Sequence, residues 1–512
     1  MNLNFNKKTE ETIILLHAKK IFSIGVLFIA VITLNAQPQI SIDSITKPLR
    51  WRNIGPANQG GRIVDIESLE NDYRKVWAAT GSGGVWYSDN AGTTWTPIFD
   101  NYETASIGDI AVFQPNPKII WVGTGESNNR NSLSWGNGVY RSDDGGKTFK
   151  SVGLQNTHHI GRVILHPTNP DIAYVAAIGH LWGENEERGL YKTIDGGKNW
   201  NLLKSGLPQS SKEGCTDLVM HPTDPSILYA AFYYRLRKPY RFHSGSNNGG
   251  IFKSIDGGQS WKKLTKGLPS DSTGRIGLAI CKTQPNILMA IVEAPKTDTL
   301  TKPGTGVYRS EDGGENWKYA NLYNNRPFYY SQIRIHPTDP QKVYVLTTPF
   351  MVSNDGGKRF TNGSADEEIH GDFHALWIDP VNPDRYYIGA DKGLSLTHDG
   401  GKKFILFDNL PIAQYYRISY DMNTPYRIYG GLQDNGFYAT ESFSRDARGI
   451  LNDVNWKVHW GDGQYSAVNP NNSKEVYTSS ENGSVFRLNP HTHKLKSIKP
   501  TVSNTTDATV FV

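Results

Sequence analysis

The chain has 512 residues, 54 Lys and Arg against 49 Asp and Glu, and two cysteines. This length allows one or two large domains. Eleven per cent aromatic residues together with 51 glycines fit a β-rich chain with many tight turns. The net charge of +5 is too small to indicate nucleic-acid binding, so no nucleic-acid partner is expected. Cys215 and Cys281 occupy non-equivalent strand positions in neighbouring repeats, which does not favour a disulfide between them.

The N-terminal segment has the features of a secretory signal. Lys19 and Lys20 precede an apolar run over residues 21–34, and Ala36 supplies a small residue for cleavage. Removal of residues 1–36 takes away four Lys and two Glu, and the net charge falls from +5 to +3. The basic region before the apolar run is long, so a retained anchor is the alternative. No later stretch reaches the roughly 18 apolar residues of a spanning helix. We therefore expect an exported protein that is periplasmic, on the cell surface or secreted, without a transmembrane segment after cleavage.

One short pattern, the Asp-box, then occurs seven times: a hydroxyl residue, any residue, Asp or Asn, a small residue, Gly, two spacers and an aromatic. The copies begin at Ser88, Ser142, Thr193, Ser254, Ser310, Ser353 and Thr397. Asp-Gly-Gly suits a tight hairpin, because the carboxylate accepts backbone N–H groups and Gly supplies positive φ. The terminal aromatic is expected to pack on a neighbouring repeat. Box residues such as Asp144 and Asp195 are therefore predicted to be turn residues, not catalysts.

Each box lies within a repeat of four short strands. In the third repeat these strands are predicted at 161–167, 173–177, 189–192 and 200–203. Four antiparallel strands in each of several repeats predict an all-β fold, a multi-bladed β-propeller. Seven blades are expected over residues 50–410.

The strand pattern continues after the boxes end. Strands at 416–420 and 427–431 predict an eighth blade, and strands at 465–470 and 475–478 predict a ninth. Residues 508–512 suggest an opening strand. We expect residues 411–512 to form further blades without Asp-boxes, belonging to an incomplete second propeller of a truncated chain, because an unclosed propeller leaves an exposed edge.

The spacing between boxes varies from 43 to 61 residues. The longer repeats therefore carry insertions between their second and third strands, at 123–138, 179–188, 233–249 and 293–306. Equivalent loops of successive blades emerge on the same side. We expect these insertions to share one face and to carry the function, as loops on a rigid scaffold often do.

The boxes, the His-Pro-Thr turns and two loop segments together resemble a known group. These segments are Gly-Thr-Gly-Glu-Ser-Asn-Asn-Arg-Asn-Ser at 123–132 and Gly-Leu-Gln-Asp-Asn-Gly at 431–436. They resemble exported bacterial sortilin-type, BNR-repeat propeller proteins over about residues 50–500, with a distant similarity to xyloglucanase-type glycosyl hydrolases. The resemblance implies peptide binding inside a propeller, or hydrolysis of β-glucan between two propellers.

The hydrolase alternative depends on two carboxyl groups, which in inverting glycosidases stand roughly 6.5–9.5 Å apart. The family's first Asp lies in a Thr-Asp-x-Gly-Gly segment, and the matching stretch at 80–84 has Gly81 at that position. Asp434 is loosely similar to the second carboxylate. Glu126 or Glu184 replaces the missing acid only with a different geometry. Asp434 and Glu126 are the candidate catalytic residues, and whether the protein is an enzyme stays open.

A sialidase is a further alternative, because sialidases also carry Asp-boxes. It needs an arginine triad, and the available residues are Arg62, Arg130, Arg162 and Arg188. Their scattered sequence contexts do not specify a triad, so this activity is not expected.

Ligand-binding candidates lie on the insertions, where carboxylates, amides and aromatic rings suit a glycan or peptide. They are Glu126, Asn128, Asn129, Arg130, Trp135, Trp182, Glu184, Glu187, Arg188, Arg237 and Tyr240. The structural alternative is that Glu and Arg pair to order the loops. For the aromatic and basic run at 233–243, the structural alternative is that its side chains pack the blades together through cation–π contacts.

His370, Asp372 and His374 form a weak metal candidate, because alternate residues of a strand share a face. Ligands on one strand stand roughly 6.5–7 Å apart, which is wide for one ion. We therefore expect hydrogen-bonded channel residues, with no metal and no cofactor.

The sequence thus predicts a propeller that binds an extended peptide or glycan on its insertion-bearing face. The alternatives are a glycoside hydrolase for a β-linked polysaccharide with a rearranged carboxylate site, and a scaffold subunit of a surface or export complex with a protein partner.

Overall fold

A computed structural model describes residues 60–130, 133–364, 369 and 371–500, together with isolated residues between 17 and 54. The chain divides into two units, residues 1–53 and 54–512. The first contains a short helix, α1 (Ile42–Thr46), in which the Thr46 hydroxyl donates to the Ile42 carbonyl at 3.0 Å. The predicted strand at 508–512, and most of the predicted signal, fall outside the described residues. Within the described part of the chain, no helix is long and apolar enough to cross a membrane.

The second unit is built from antiparallel sheets that follow one another along the chain. The described residues form nine of them, blades 1–9, with strands joined in sequence order except for one additional hairpin strand in blade 4. Blades 1–3 contain β1 (Ile63–Leu69), β2 (Asp72–Thr80), β3 (Val85–Ser88), β4 (Thr96–Pro97); β5 (Ile107–Val112), β6 (Ile120–Thr124), β7 (Val139–Ser142), β8 (Lys150–Ser151); and β9 (Ile160–Leu165), β10 (Ala173–Ala177), β11 (Gly189–Thr193), β12 (Asn201–Leu203). A 3₁₀ turn at Gln155–Thr157 joins blades 2 and 3.

The remaining blades follow the same plan. Blades 4–6 contain β13 (Glu213–Met220), β14 (Leu228–Lys238), β15 (Arg241–Ser244), β16 (Gly250–Ser254), β17 (Lys262–Leu264); β18 (Ile276–Ile280), β19 (Leu288–Val292), β20 (Gly306–Ser310), β21 (Lys318–Asn321); and β22 (Gln332–Ile335), β23 (Val343–Leu346), β24 (Met351–Ser353), β25 (Thr361–Asn362). Blades 7–9 contain β26 (Phe373–Ile378), β27 (Tyr386–Ala390), β28 (Gly393–Thr397), β29 (Ile405–Leu406); β30 (Tyr415–Tyr420), β31 (Arg427–Leu432), β32 (Gly436–Glu441), β33 (Asn455–His459); and β34 (Gly463–Val468), β35 (Val476–Ser480), β36 (Ser484–Asn489), β37 (Lys494–Ser497).

The first strands of blades 1–7 contact one another in a closed series. β1 packs against β5, β5 against β9, and so on to β26, which packs against β1 again. Blades 8 and 9 pack on each other through β30 and β34. The predicted all-β, multi-bladed propeller is therefore confirmed, and the first strands of its first seven blades form a closed ring.

The blades pack through apolar residues on both faces of the sheets. All five residues of β10, Ala-Tyr-Val-Ala-Ala, are buried, which fits their predominantly apolar composition. The box aromatic Trp200 of blade 3 packs edge-on against Trp121 of blade 2, with ring centroids 6.1 Å apart. The predicted packing of box aromatics on a neighbouring repeat is seen here.

The box turns have the hydrogen bonds that the sequence predicts. In the second turn, the Ser142 hydroxyl donates to Asp144 at 2.8 Å and accepts the Gly146 amide at 2.9 Å. Asp144 in turn accepts the Thr148 amide at 2.9 Å. Gly145 and Gly146 have φ of 82° and 85°. Hydrogen bonds from Thr148 lower the pKa of Asp144 to about 2. Asp144 is thus a turn residue, as predicted.

Carboxylates on the first strands join each blade to the next one in the ring. Each accepts a backbone N–H from the first strand of the next blade, at 2.7–3.1 Å. Ile110 donates to Asp65, Val163 to Asp109, and Leu278 to Asp217. The guanidinium of Arg162 lies 2.9 Å from both Asp109 and Asp217, which offsets their buried charge.

Three sequence expectations concern loops and cysteines. The four insertions lie between second and third strands, as predicted. The segment 233–249 is not an irregular loop, however: β14 continues into it and pairs with β15, from Arg235 with Ser244 to Lys238 with Arg241. Its alternating aromatic and basic residues suit this hairpin. The two cysteines are free and buried.

Candidate functional site

One face of the ring collects the loops that carry most of the predicted site residues. Because neighbouring strands are antiparallel, the start of each first strand and the loop after each second strand lie on the same side. The insertions contact one another there. The Asn129 amide of blade 2 donates to the Tyr233 hydroxyl of blade 4 at 3.0 Å. Arg235 donates to Asn129 at 2.7 Å, and Ser244 donates to Glu293 of blade 5 at 2.6 Å. This is the insertion face.

A buried arginine stands at the centre of the insertion face. Arg62, just before β1, donates to both carboxylate oxygens of Asp391, at 2.6 and 3.1 Å. Its Nη1 lies 3.2 Å from Glu126 Oε1, and its Nη2 lies 3.7 Å from Asp434 Oδ2. Burial disfavours the charge on Arg62, but Asp391 and Glu126 outweigh it and hold its pKa well above the usual range. The three carboxylates come from the loops after the second strands of blades 2, 7 and 8.

Asp391 is the most strongly held of these carboxylates. Besides Arg62, it lies 2.9 Å from His374 Nε2 and accepts the Tyr329 hydroxyl at 3.3 Å. Burial raises the pKa of a carboxyl group, but Arg62 and His374 exceed that effect and keep the pKa of Asp391 well below its usual range. Asp391 is therefore ionised and fixed in place.

Asp434 is partly accessible and chemically different. Its side chain is 19% exposed and lies 3.2 Å from Arg130 Nη2. Burial and then the charge of Asp391 raise the pKa of Asp434 to about 7. Its backbone amide donates to Asp462 at 2.6 Å. Asp434 can thus hold or release a proton near neutral pH, while Asp391 beside it stays charged.

A cavity of 380 Å³ opens beside Asp434, where the ring meets blades 8 and 9. Its lining residues come from blades 2, 4, 6, 8 and 9: Asn129, Arg130, Arg237, Arg326, Phe328, Tyr416 and Asp462. Burial, and then the charge of Asp462, raise the pKa of Tyr416 to about 12, so it stays protonated as a hydrogen-bond donor. The cavity is polar, mainly cationic, and bounded by two aromatic rings.

Several predicted ligand-binding residues are buried and hydrogen-bonded within the protein. Asn128 joins Glu126 to Arg275, with bonds of 3.1 and 2.9 Å. Asn129 also donates to the Phe328 carbonyl at 2.7 Å. Arg188 donates to four backbone carbonyls, those of His180, Gly183, Lys212 and Arg235. For these residues the structure favours the alternative reading, in which they order the insertions.

The other predicted residues stay accessible. Trp135 is 63% exposed and stacks on His158, Trp182 is 42% exposed, and Tyr240 is 81% exposed. Glu184 is exposed and accepts the Tyr234 hydroxyl at 2.8 Å. Partly buried residues complete the set: Glu187 accepts Asn185 at 3.1 Å, Arg130 pairs with Asp434, and Arg237 lies over the Phe242 ring.

The alternation proposed for His370, Asp372 and His374 does not hold. His370 lies outside the described residues. Asp372 has φ of 64°, in the left-handed region, and precedes the first residue of β26. Asp372 accepts hydrogen bonds from Tyr330 and Thr348, whereas His374 lies against Asp391. The turn at Asp372 therefore replaces the extended backbone on which the prediction depended. Oxygens of Asp372, Asp391 and Asp434 lie within 4.8 Å of one another, but Arg62 already provides positive charge at two of them.

The structure also shows what stands beside Gly81, where the hydrolase family has Asp. A Cβ atom at Gly81 would lie 2.9 Å from Glu126 Oε2. The carboxylate of Glu126 thus fills space next to the missing side chain, reaching it from the neighbouring blade. It is 3% exposed and paired with Arg62.

The arginines considered for a sialidase triad do not come together. Arg62 and Arg130 both approach Asp434. Arg162 instead pairs with Asp109 on a first strand, and Arg188 donates to backbone carbonyls. Sequence reasoning missed Asp391, Tyr329 and Asp462. Asp391 occupies a short loop equivalent to the long insertions, and aligning all the blades would have pointed to that position.

The comparisons with known proteins agree with this architecture. A family model described as "Sortilin, neurotensin receptor 3" matches residues 137–296. Xyloglucanase Xgh74A of Acetivibrio thermocellus is 22% identical over 439 residues, covering 69% of this chain and 48% of that protein. An oligoxyloglucan-reducing end-specific xyloglucanase of Emericella nidulans is 32% identical over 371 residues, covering 67% of this chain and 40% of that protein. The chain spans about half the length of the curated relatives it matches.

Solved structures show the same fold. A GH74 enzyme of Niastella koreensis has a TM-score of 0.60 at 16% identity, covering 88% of this chain and 68% of that one. The GH74 xyloglucanase of Xanthomonas campestris has a TM-score of 0.56 at 14% identity, covering 89% and 76%. The chain is therefore similar to sortilin-type propeller proteins over residues 137–296, and it is distantly similar to xyloglucanases.

Proposed function

We propose that this protein binds an extended peptide or glycan on the insertion face of its propeller. The observation that carries the proposal is the 380 Å³ cavity on that face beside Asp434, lined from five blades. Loop-built concave sites that combine aromatic rings with a few fixed polar groups are typical ligand sites. The ring below is a rigid support, because the buried Arg62, Asp391 and Glu126 tie its loops together.

The exposed aromatic side chains extend this site beyond the cavity. Trp135 lies on the insertion of blade 2, Trp182 on that of blade 3, and Tyr240 on that of blade 4. Flat aromatic faces stack on sugar rings and also pack against peptide side chains. A ligand that reaches from the cavity to these rings would be extended.

A binding screen on the full chain tests this proposal. We expect a glycan array or a peptide library to yield a ligand, and Trp135→Ala and Trp182→Ala to weaken its binding about tenfold each. Ile194→Ala is the matched control, because Ile194 is 69% exposed in a box turn on the opposite face. A ligand that is insensitive to both tryptophan variants would contradict the proposal. Capture of a specific protein partner without a glycan or peptide ligand would favour the scaffold alternative instead.

Glycoside hydrolysis is the second candidate, because one observation favours it. Asp434 has a pKa of about 7, which suits a general acid at neutral pH. In this reaction Asp434 would protonate the leaving oxygen, and a second carboxylate would activate water. Glu126 takes the place beside Gly81, but its 3% exposure and its bond to Arg62 restrict access to it. The restricted access to Glu126 therefore favours ligand binding over hydrolysis as the function of this site.

Reducing-sugar release from β-linked polysaccharides tests hydrolysis. The expected result for a hydrolase is activity that falls at least a hundredfold in Asp434→Asn and in Glu126→Gln. Asp446→Asn is the control, because Asp446 forms an exposed ion pair with Arg448 in blade 8. Binding without sugar release would exclude this candidate and leave the first proposal intact.

Location and domain limits complete the proposed function. We propose export directed by residues 1–36, with the propeller acting in the periplasm, on the cell surface or outside the cell. We further propose that residues 50–410 form one propeller and that blades 8 and 9 belong to a second. Sequencing the N-terminus of the protein purified from its host tests the cleavage after Ala36.

A further inference from the structure

The cavity on the insertion face contains more positive charge than its surroundings neutralise. Arg130, Arg237 and Arg326 line it, and each comes from a different blade. Arg130 pairs with Asp434 at 3.2 Å. Arg237 and Arg326 have no carboxylate within 4.0 Å among the residues that the structure describes. Asp462 is the one carboxylate among the described lining residues, and it already accepts the Asp434 amide.

The arginines also affect one another. Burial, and then the charge of Arg130, lower the pKa of Arg237. Like charges held close together repel, and of the three cavity arginines Asp434 is paired with Arg130 alone, so an anion beside Arg237 and Arg326 would relieve the remaining repulsion. Crowded guanidinium groups of this kind favour a bound carboxylate, phosphate or sulfate.

Aromatic contacts hold two of the guanidinium groups in place. Arg237 lies over Phe242 at 5.3 Å, and Arg326 lies over Tyr329 and Tyr330 at 5.0 and 5.7 Å. Cation–π contacts orient a guanidinium without using its N–H groups as hydrogen-bond donors. The donors therefore remain available, and a planar fork of N–H groups matches a carboxylate with two parallel hydrogen bonds.

The rest of the cavity wall fits a sugar ring. Phe328 and Tyr416 supply aromatic surface, and the Tyr416 hydroxyl supplies a hydrogen-bond donor. A sugar acid presents a ring face and a carboxylate within one residue, so it can contact the aromatic side chains and the arginines of the cavity together. An acidic peptide side chain offers the carboxylate alone.

We propose that this cavity binds the carboxylate of a uronic acid residue in an acidic polysaccharide. This inference rests on the proposed function and narrows its ligand from any extended glycan or peptide to a carboxylated glycan. Arg237 and Arg326 bind the carboxylate, Phe328 and Tyr416 contact the ring, and the chain continues toward Trp135 and Trp182.

Titration calorimetry with defined oligosaccharides tests the inference on the full chain. The probes are short oligomers of galacturonate, glucuronate and mannuronate, each beside its carboxyl-reduced, neutral counterpart. We expect at least one uronate oligomer to bind about tenfold or more tightly than its neutral counterpart, and to weaken as salt rises. Arg237→Gln and Arg326→Gln should each weaken binding about tenfold.

Controls separate loss of the site from loss of the fold. Arg359→Gln removes an arginine that is 91% exposed in a box turn, and it should leave binding unchanged. Thermal unfolding midpoints of the two cavity variants should lie within about 3 °C of that of the original protein, since each loses cation–π contacts but no ion pair with a described residue. Equal affinity for acidic and neutral oligomers, or unchanged affinity in both cavity variants, would overturn the inference.

The outcomes also distinguish this inference from the broader proposal. If neutral glycans bind as tightly as uronates and Trp135→Ala abolishes that binding, the proposed function stands and the uronate inference is rejected. Polyglutamate that binds as tightly as the uronates would assign the cavity to acidic peptides. No binding by any probe, neutral or acidic, glycan or peptide, would reject both.

Discussion

Arg62 and Asp391 are 329 residues apart in the chain and form a two-pronged ion pair, with Nε–Oδ1 at 2.6 Å and Nη2–Oδ2 at 3.1 Å. Arg62 precedes the first strand of blade 1, and Asp391 follows the second strand of blade 7. In the described part of the chain, the strands of blade 1 all come from residues 63–97 and those of blade 7 from residues 373–406. The two blades exchange no strand there. Side-chain contacts, of which this pair is the most buried charged one, therefore close the ring.

The first prediction concerns the removal of Arg62. Arg62→Met leaves Asp391 and Glu126 buried without their cation, and we expect the free energy of unfolding to fall by about 3–5 kcal/mol. Urea unfolding followed by tryptophan fluorescence measures this change. Arg359→Met, at a highly exposed position, should change it by less than about 0.5 kcal/mol. A loss in Arg62→Met no larger than in this control would show that the pair does not hold the ring closed.

The second prediction is a pH dependence caused by Asp434. Its pKa is about 7 in the folded protein, against about 3.9 in an unfolded chain. Between these values the folded state binds more protons than the unfolded state, so the free energy of unfolding falls as pH rises from about 4 to 7. We expect this group to contribute a loss of roughly 1–3 kcal/mol, which Asp434→Asn removes.

Urea unfolding at pH 5, 6, 7 and 8 measures the Asp434 effect. Asp446→Asn is the matched control, because hydrogen bonds and the charge of Arg448 lower the pKa of Asp446 to about 2, so it does not titrate in this range. Parallel pH profiles for Asp434→Asn and the original protein would contradict the raised pKa.

The third prediction concerns the space beside Gly81. In Gly81→Ala the new methyl group meets Glu126 Oε2 at 2.9 Å, and we expect a loss of about 1–3 kcal/mol in the free energy of unfolding. In a Glu126→Ala background the same change should cost less, because the obstructing carboxylate is gone. Gly183→Ala is the control, since a Cβ atom there meets nothing within 4 Å. Additive losses in the double variant would mean that the two positions do not interact.

The fourth prediction concerns the first box turn, which has Ala91 where the other six have Gly. Ala91 has φ of 56°, and its counterparts have φ of 68–82°. An L-residue with a side chain is strained in this region, so Ala91→Gly should stabilise the protein by about 0.5–1 kcal/mol. Denaturant unfolding measures the sign of the change in the free energy of unfolding. Ala294→Gly, at a loop position outside the left-handed region, should destabilise it instead. A loss of stability in Ala91→Gly would contradict the strain.

The predictions that held depend on residues close together in sequence. The hydrogen bonds of Ser142, Asp144 and Gly146 lie within five residues, so a local pattern determines them. The presence of the insertions followed from box spacing, and their positions followed from the strand pattern of each repeat. The strands at 173–177 and 189–192 were predicted almost to the residue, because Gly, Pro and Asn mark their ends.

The candidate site was less predictable, because its partners are distant in sequence. Glu126 was expected to face a ligand, yet it pairs with Arg62 of the preceding blade. His374 was paired with Asp372 by strand alternation, but a left-handed residue interrupts that pattern and its partner is Asp391. Only the curvature of the whole ring determines which loops meet at its centre, and no local pattern encodes that curvature.

The closure between blades 1 and 7 also has a kinetic consequence. A chain made at roughly 5–20 residues per second needs on the order of 20–60 s after Arg62 emerges before Asp391 is available. During this interval the apolar face of blade 1, including Ile63 and Ile66, lacks its cover from Ala375 and Leu394. Exposed faces of this kind promote association between chains. Before ring closure, association between chains therefore competes with folding, and a chaperone that shields blade 1 should raise the yield of the folded ring.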